Sequence, residues 1–144
     1  MKKINFILIL LFSVFAFSQD WESSYEKAIT SSKETGKPVI LVFAGSDWCA
    51  SCIKLEREIW KTSEFISYAK ENYILYKADF PRKKTNKLSK EKEKQNAKLA
   101  EKYNPKGYFP LVVVLNKEGK SLGKIGYKKV APSIYISLLN SFVN

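Results

Sequence analysis

Five consecutive apolar residues, Val39 to Phe43, follow Pro38 and lead into Ala44 and Gly45. A strand with one face in water alternates apolar and polar side chains, so a run without alternation fits an interior strand covered on both faces. A chain built on such a strand needs helices on each side of its sheet, and the flanking sequence supplies them. Upstream, Trp21, Tyr25, Ala28 and Ile29 recur at three- and four-residue spacing, which predicts an amphipathic helix over Trp21–Thr35, stopped by Gly36 and Pro38. Downstream, "SDWCASC" runs into "IKLEREIW", where Ile53, Leu55, Ile59 and Trp60 stand free of Gly and Pro, so the strand passes into a helix at the two cysteines.

The same reading continues along the chain. "TSEFISYAKEN" opens on a cap signal at Thr62 or Ser63 and predicts a helix; "YILYKADF" predicts a second strand, ended by Pro81. "KLSKEKEKQNAKLAEKYN" is rich in strong helix formers with Leu88, Leu99 and Tyr103 as its few apolar anchors, a long and mostly exposed helix closed by Pro105 and Gly107. "PLVVVLN", the turn Asn116–Gly119 and "SLGKIGY" predict an antiparallel hairpin. "APSIYISLLNSF" predicts a final helix with Pro132 in its first turn and Ile134, Tyr135, Leu138, Leu139 and Phe142 facing the core. The order implies one α/β domain, a mixed sheet of about four to five strands between helices.

Residues 1–18 read differently. Lys2 and Lys3 precede an apolar stretch from Ile4 to Phe17, with small residues at Ala16 and Ser18. This is the pattern of a secretory signal peptide cut between Ser18 and Gln19, and the stretch is shorter than the ~20 residues a spanning helix needs. The expected mature domain is 19–144, periplasmic or secreted. The chain carries 25 Lys and Arg against 14 Asp and Glu, a formal net charge of +11. Much of the excess is local: from Arg82 to Lys106 ten basic residues meet three acidic ones, Glu91, Glu93 and Glu101. Export and the lack of interleaved aromatic residues argue against nucleic acid, which leaves a solvated face or a docking surface for an acidic partner.

Both cysteines of the chain, Cys49 and Cys52, lie at the strand-to-helix junction. There the unpaired N–H groups of a helix start favour a thiolate at Cys49, and the thiolate is the form that attacks disulfides. Cys52, three residues on, shares that helix face and is placed to resolve a mixed disulfide. Structural zinc takes four Cys or His ligands; this chain has two cysteines and no histidine. Ile53 occupies the position at which haem attachment needs histidine. An inert bridge between residues i and i+3 closes a very small loop and restrains the unfolded chain little. A redox pair is the remaining reading. Asp47 and Glu56 are the nearby acids, read by default as an exposed loop residue and a helix-surface residue.

The stretch "FAGSDWCASCIKLE", the later "YFP" at Tyr108 to Pro110 and the order of elements resemble the thioredoxin superfamily, most of all its exported bacterial branch with W-C-x-x-C, similar to the thioredoxin-like domain of periplasmic disulfide reductases. The resemblance covers nearly all of 21–144. It implies that Trp48 flanks the active site, that Cys49 is an exposed nucleophile and Cys52 a buried resolving thiol. It also implies that Pro110 is a cis-proline facing the cysteines and that the backbone of Phe109 pairs with an extended substrate; the residues alone fit a trans proline opening a strand equally well, and Trp48 as a core aromatic. The implied activity is thiol–disulfide exchange on protein disulfides, with the reductase direction preferred, no diffusible cofactor, a membrane thiol transporter as electron donor, and a monomeric state. The alternative is a non-enzymatic thioredoxin-like module that docks an acidic partner through its lysine-rich helix. The sequence departs from the family at the Ala50-Ser51 spacer, at "PVILVFAG", which holds no acid, and at Leu111, where the family often has threonine.

Overall fold

The unalternated apolar run forms strand β1, Val39–Ala44, and in the computed structural model, which describes residues 19–144, all six of its residues are buried. The expected leader, 1–18, lies outside the described residues. The elements run α1 (Tyr25–Thr35), β1, α2 (Ala50–Leu55), α3 (Ser63–Asn72), β2 (Ile74–Asp79), α4 (Lys90–Tyr103), β3 (Leu111–Leu115), β4 (Ser121–Ile125) and α5 (Pro132–Asn140). A π-helical turn, Glu56–Trp60, prolongs α2, and a 3₁₀ turn, Lys84–Asn86, precedes α4. The four strands form one mixed sheet in the order β2-β1-β3-β4. β1 is parallel to β2 and antiparallel to β3, and β3 is antiparallel to β4. This is the expected α/β architecture, at the four-strand end of the expected range.

Because successive side chains of a strand point to opposite faces, β1 sorts its residues into two cores. Ile40, Val42 and Ala44 join Val112 and Val114 of β3 against α2 with its π turn, α3 and α5, where Leu55, Ile59, Trp60, Phe65, Tyr135 and Leu139 are packed. Val39, Leu41 and Phe43 join Leu111, Val113 and Leu115 against α1 and α4, where Ala28, Leu99 and Tyr103 are packed. The register couples the two strands face by face: Ile40 lies opposite Val114, and Leu41 opposite Val113.

Two helix starts and one core position differ from the sequence expectation, each for a local reason. α1 begins at Tyr25, not Trp21, because the Ser24 hydroxyl accepts the Lys27 N–H at 3.1 Å and caps the helix there. Trp21 instead bridges to Leu75 beside β2 and sets its ring on edge against Trp60. α4 begins at Lys90 under the Ser89 cap, which leaves Leu88 ahead of the helix. In α5 the buried stripe is Tyr135, Ile136 and Leu139, and Ile134, expected in the core, is 51% exposed because it lies a helical step outside that stripe.

Candidate active site

The site grows from the C-terminal end of β1. Gly45 has no side chain, and a Cβ there would overlap the Trp48 indole, so glycine lets the ring lie against the backbone. The Trp48 Nε1–H donates to the Phe80 carbonyl at 2.7 Å. Next to it, the Ser46 N–H and hydroxyl both donate to the Asp79 carboxylate, at 2.9 and 2.5 Å. Asp79 is the last residue of β2 and the parallel neighbour of Ala44, so the register itself brings the ends of the two strands together.

Asp47 completes the joint. Its two carboxylate oxygens accept the Arg82 N–H at 2.9 Å, the Lys83 N–H at 3.0 Å and the Asn86 side-chain amide at 3.0 Å. These bonds hold its carboxyl below the ordinary carboxylate range, the Arg82 N–H contributing most. Asp47 is therefore a structural acceptor at the mouth of the site, with its oxygens committed, and not a free proton carrier. The Arg82 guanidinium in turn lies 3.8 Å from the centre of the Trp48 ring.

After Trp48 the chain enters α2 at Cys49, the N-cap residue, whose sulfur accepts the Cys52 N–H at 3.2 Å. Cys49 and Cys52 are joined as a disulfide across a Cα separation of 5.2 Å. The Gly45 N–H donates to the Cys52 sulfur at 3.5 Å, and the Ser51 hydroxyl lies 3.7 Å from the Cys49 sulfur. The expected contrast between an exposed and a buried cysteine is not present: joined as a disulfide, Cys49 is 7% and Cys52 5% exposed, both packed into the core cluster that α2 covers.

The Phe109–Pro110 peptide bond is cis, and Pro110 is buried. Pro110 immediately precedes β3, whose Leu111 pairs with Phe43, so it arrives at the end of the sheet from which the cysteine segment leaves. The Phe109 ring stands 5.4 Å from both Trp48 and Phe80, edge-on to each. Four of the five sequence-predicted residues are thus tied directly: Cys49 to Cys52 by the disulfide, Trp48 to Phe109 by ring contact. Pro110 joins them through its neighbour Phe109.

A surface cleft of about 490 Å³ reaches Cys52 from the side, between Ile53, Glu56, Arg57, Lys61 and Lys77. Glu56 sits at the start of the π turn, half-buried, and its carboxylate pairs with the Lys77 ammonium of β2 at 2.5 Å. It is more than a surface glutamate, since it lines the cleft that leads to Cys52. Sequence reasoning missed Lys77, Asp79, Phe80, Arg82 and Asn86. The available signal was the parallel pairing of β2 with β1, which places the end of "YKADFPR" beside the cysteine segment, where ligands of open α/β sheets collect.

The sequence profile of the family described as "Thioredoxin-like domain" matches residues 25–140. The chain belongs to the thioredoxin-like domain family. Within that family it is 36% identical over 126 residues to the disulfide bond reductase DsbH of Chlamydia pneumoniae, covering 88% of this chain and 74% of that protein. A solved structure of a DsbH oxidoreductase superposes with a TM-score of 0.81 at 35% identity, over 88% of this chain and 85% of the other. The oxidised C-terminal domain of DsbD from Neisseria meningitidis shares the fold, with a TM-score of 0.57 at 21% identity over 86% of this chain and 98% of that one. With the Cys-x-x-Cys pair in place, this kinship makes the chain a thiol–disulfide oxidoreductase of the thioredoxin-like family, and the non-enzymatic alternative gives way.

Proposed function

We propose that the protein is an exported reductase of protein disulfides, working from residues 19–144 in the periplasm or beyond, with Cys49 as attacking thiolate and Cys52 as resolving thiol. The observation that carries this reading is a two-cysteine couple at the strand-to-helix junction of a chain 36% identical to a disulfide bond reductase. In the reduced protein the Cys49 thiolate attacks one sulfur of a substrate disulfide, forming a mixed disulfide and releasing the first substrate thiolate. Cys52 then passes its proton to the released substrate thiolate and attacks the Cys49 sulfur, releasing the second substrate thiolate, which takes a proton from water, and closing the Cys49–Cys52 bond. Two electrons pass from the pair to the substrate.

The Cys52 N–H supports a thiolate on Cys49, since a hydrogen bond donated to the charged form favours it. Trp48 and Phe109 form an apolar wall beside the pair, and the backbone at Phe109 and Pro110 receives the extended substrate segment. Re-reduction needs a thiol donor, a membrane thiol transporter, because an oxidising compartment supplies no reductant of its own. The protein acts as a monomer and needs no diffusible cofactor.

The test is a pair of substitutions with a redox titration. Cys49→Ser abolishes insulin-disulfide reduction, while Cys52→Ser accumulates a mixed disulfide between Cys49 and substrate. Equilibration with glutathione gives a potential near the ~−270 mV typical of thioredoxins; a value near the ~−120 mV of a strong oxidant would overturn the reductase direction.

A further inference from the structure

The loop that Asp47 pins beside the site is also the place where the positive charge of the molecule is concentrated. Arg82, Lys83, Lys84 and Lys87 are all exposed, and no acidic residue occurs between Asp79 and Glu91. The two carboxylates that face this loop are already engaged, Asp79 by Ser46 and Asp47 by the loop's own N–H groups. Among the described residues the ion pairs are Arg57–Glu58 and Lys77–Glu56, so none of the four loop cations has a carboxylate partner. The lysines of helix α4, on which the sequence placed a docking face, are likewise without an ion pair among the described residues, but the helix mixes charges of both signs. There five lysines alternate with Glu91, Glu93 and Glu101, and Lys92 donates to the Ser23 carbonyl.

We propose that the Arg82–Lys87 loop is a docking surface for acidic residues flanking the disulfide on which the Cys49–Cys52 pair acts, which makes the enzyme selective for acidic protein segments. The inference rests on the oxidoreductase reading above and adds the chemistry of the substrate. Arg82 stacks on Trp48, the residue directly before Cys49, so loop and redox pair share one wall. A polypeptide that brings a disulfide to Cys49 therefore passes the loop with its own flanking side chains. The three hydrogen bonds to Asp47 fix the loop backbone in advance, so less ordering is left to oppose binding than for lysines on a free tail. Exposed Ile53, immediately after Cys52, and exposed Tyr108, immediately before Phe109, offer apolar contact on either side of the redox pair. Unpaired charges of that kind raise the encounter rate of oppositely charged partners and slow that of like-charged ones, within a screening length of ~10 Å at 0.1 M salt.

The experiment uses the reduced mature chain and three probes: a disulfide-linked peptide with aspartates on both sides of its cysteine, the same peptide with lysines in their place, and a small uncharged disulfide. The readout is the ratio of the second-order rates for the acidic and basic peptides. A ratio of about ten or more at low ionic strength is expected, falling toward one in half-molar salt. The triple variant Lys83→Gln/Lys84→Gln/Lys87→Gln, which alters exposed side chains and spares the backbone bonds to Asp47, is expected to lose most of the ratio. Equal rates for the two peptides, or a ratio that survives in the triple variant, overturn the proposal. So does co-sedimentation with phosphatidylglycerol–phosphatidylcholine vesicles that depends on the loop lysines in the absence of any peptide preference, since the loop would then read a membrane. Failure to reduce the uncharged disulfide at all would instead overturn the oxidoreductase reading on which the proposal rests.

Discussion

One continuous segment is held in two different ways on either side of Ala44. From Val39 to Phe43 the chain is fixed by apolar side chains buried to 1% exposure or less, divided between two cores. From Gly45 to Cys49 it is fixed by hydrogen bonds: Ser46 to Asp79, Asp47 to the Arg82–Asn86 loop, and Trp48 to Phe80. The first half draws its stability from area removed from water, which is non-directional and tolerant of small shifts. The second draws position from directional bonds, which is what a reaction between sulfur atoms requires. Stability and chemistry are thus separable by mutation at residues only a few positions apart in the chain.

The largest expected effect tests the core that packs on the apolar half. Trp60 is 1% exposed and wedged among Trp21, Phe65 and Tyr135, with ring centres 6.2, 4.6 and 5.6 Å away. Trp60→Ala is expected to cost about 3–5 kcal/mol in denaturant unfolding, a large share of the roughly 5–15 kcal/mol that holds a domain together. The rate constant with a small disulfide, corrected for the folded fraction, should stay near that of the parent. A cost below about 1 kcal/mol would place the weight of the fold elsewhere, since surface changes alone give values of that size.

A middle-sized effect falls on the seam between the halves. Asn96 of α4 is buried; its oxygen accepts the Tyr76 hydroxyl at 2.9 Å and its amide donates to the Asp79 carbonyl at 3.0 Å. Asn96→Leu leaves the Asp79 carbonyl without that partner and the Tyr76 hydroxyl with Gln95 Oε1 alone at 3.1 Å, an expected loss of about 1–3 kcal/mol. Because Asp79 also holds Ser46, this variant, unlike Trp60→Ala, should slow thiol–disulfide exchange as well as lower stability. An unchanged exchange rate would show that the two halves are uncoupled even at their junction.

The two halves also differ in how far the sequence discloses them. β1 was legible because an apolar run without alternation has few structural interpretations, and the cysteines were legible because they follow it directly. The cis bond at Pro110 came from family resemblance, since proline alone fits either isomer. The hydrogen-bonded half was not legible. Asp47 meets Arg82 across 35 positions and Trp48 meets Phe80 across 32, and such pairings follow from the parallel register of β1 and β2 and leave no periodic trace. The same gap explains why Asp47 read as an exposed loop acid, and why the basic segment read as a helix face although its stretch without any acidic residue is the loop before the helix.

The smallest expected effect isolates a single joint of that hydrogen-bonded half. The Asp47 carboxyl is lowered by the N–H of Arg82, the Asn86 amide and the N–H of Lys83, so it stays ionised in the folded protein below the ordinary carboxylate value of about 3.9. A group whose folded pKa is depressed adds stability above its unfolded value and loses that contribution as pH falls through the folded one. The amide resonances of Arg82 and Lys83 should therefore remain constant from neutral pH down to about 4 and then move together, with a midpoint below the usual aspartate range. In Asp47→Asn that transition disappears, because the amide cannot titrate and accepts through a single oxygen. Thermal unfolding should change little, since Asp47 lies at the surface, half-buried, and the apolar cores are untouched. If the two amides instead titrate near pH 4 or above, the three bonds do not favour the ionised form, and the loop beside Trp48 is held by the Arg82 stack and the Trp48–Phe80 bond.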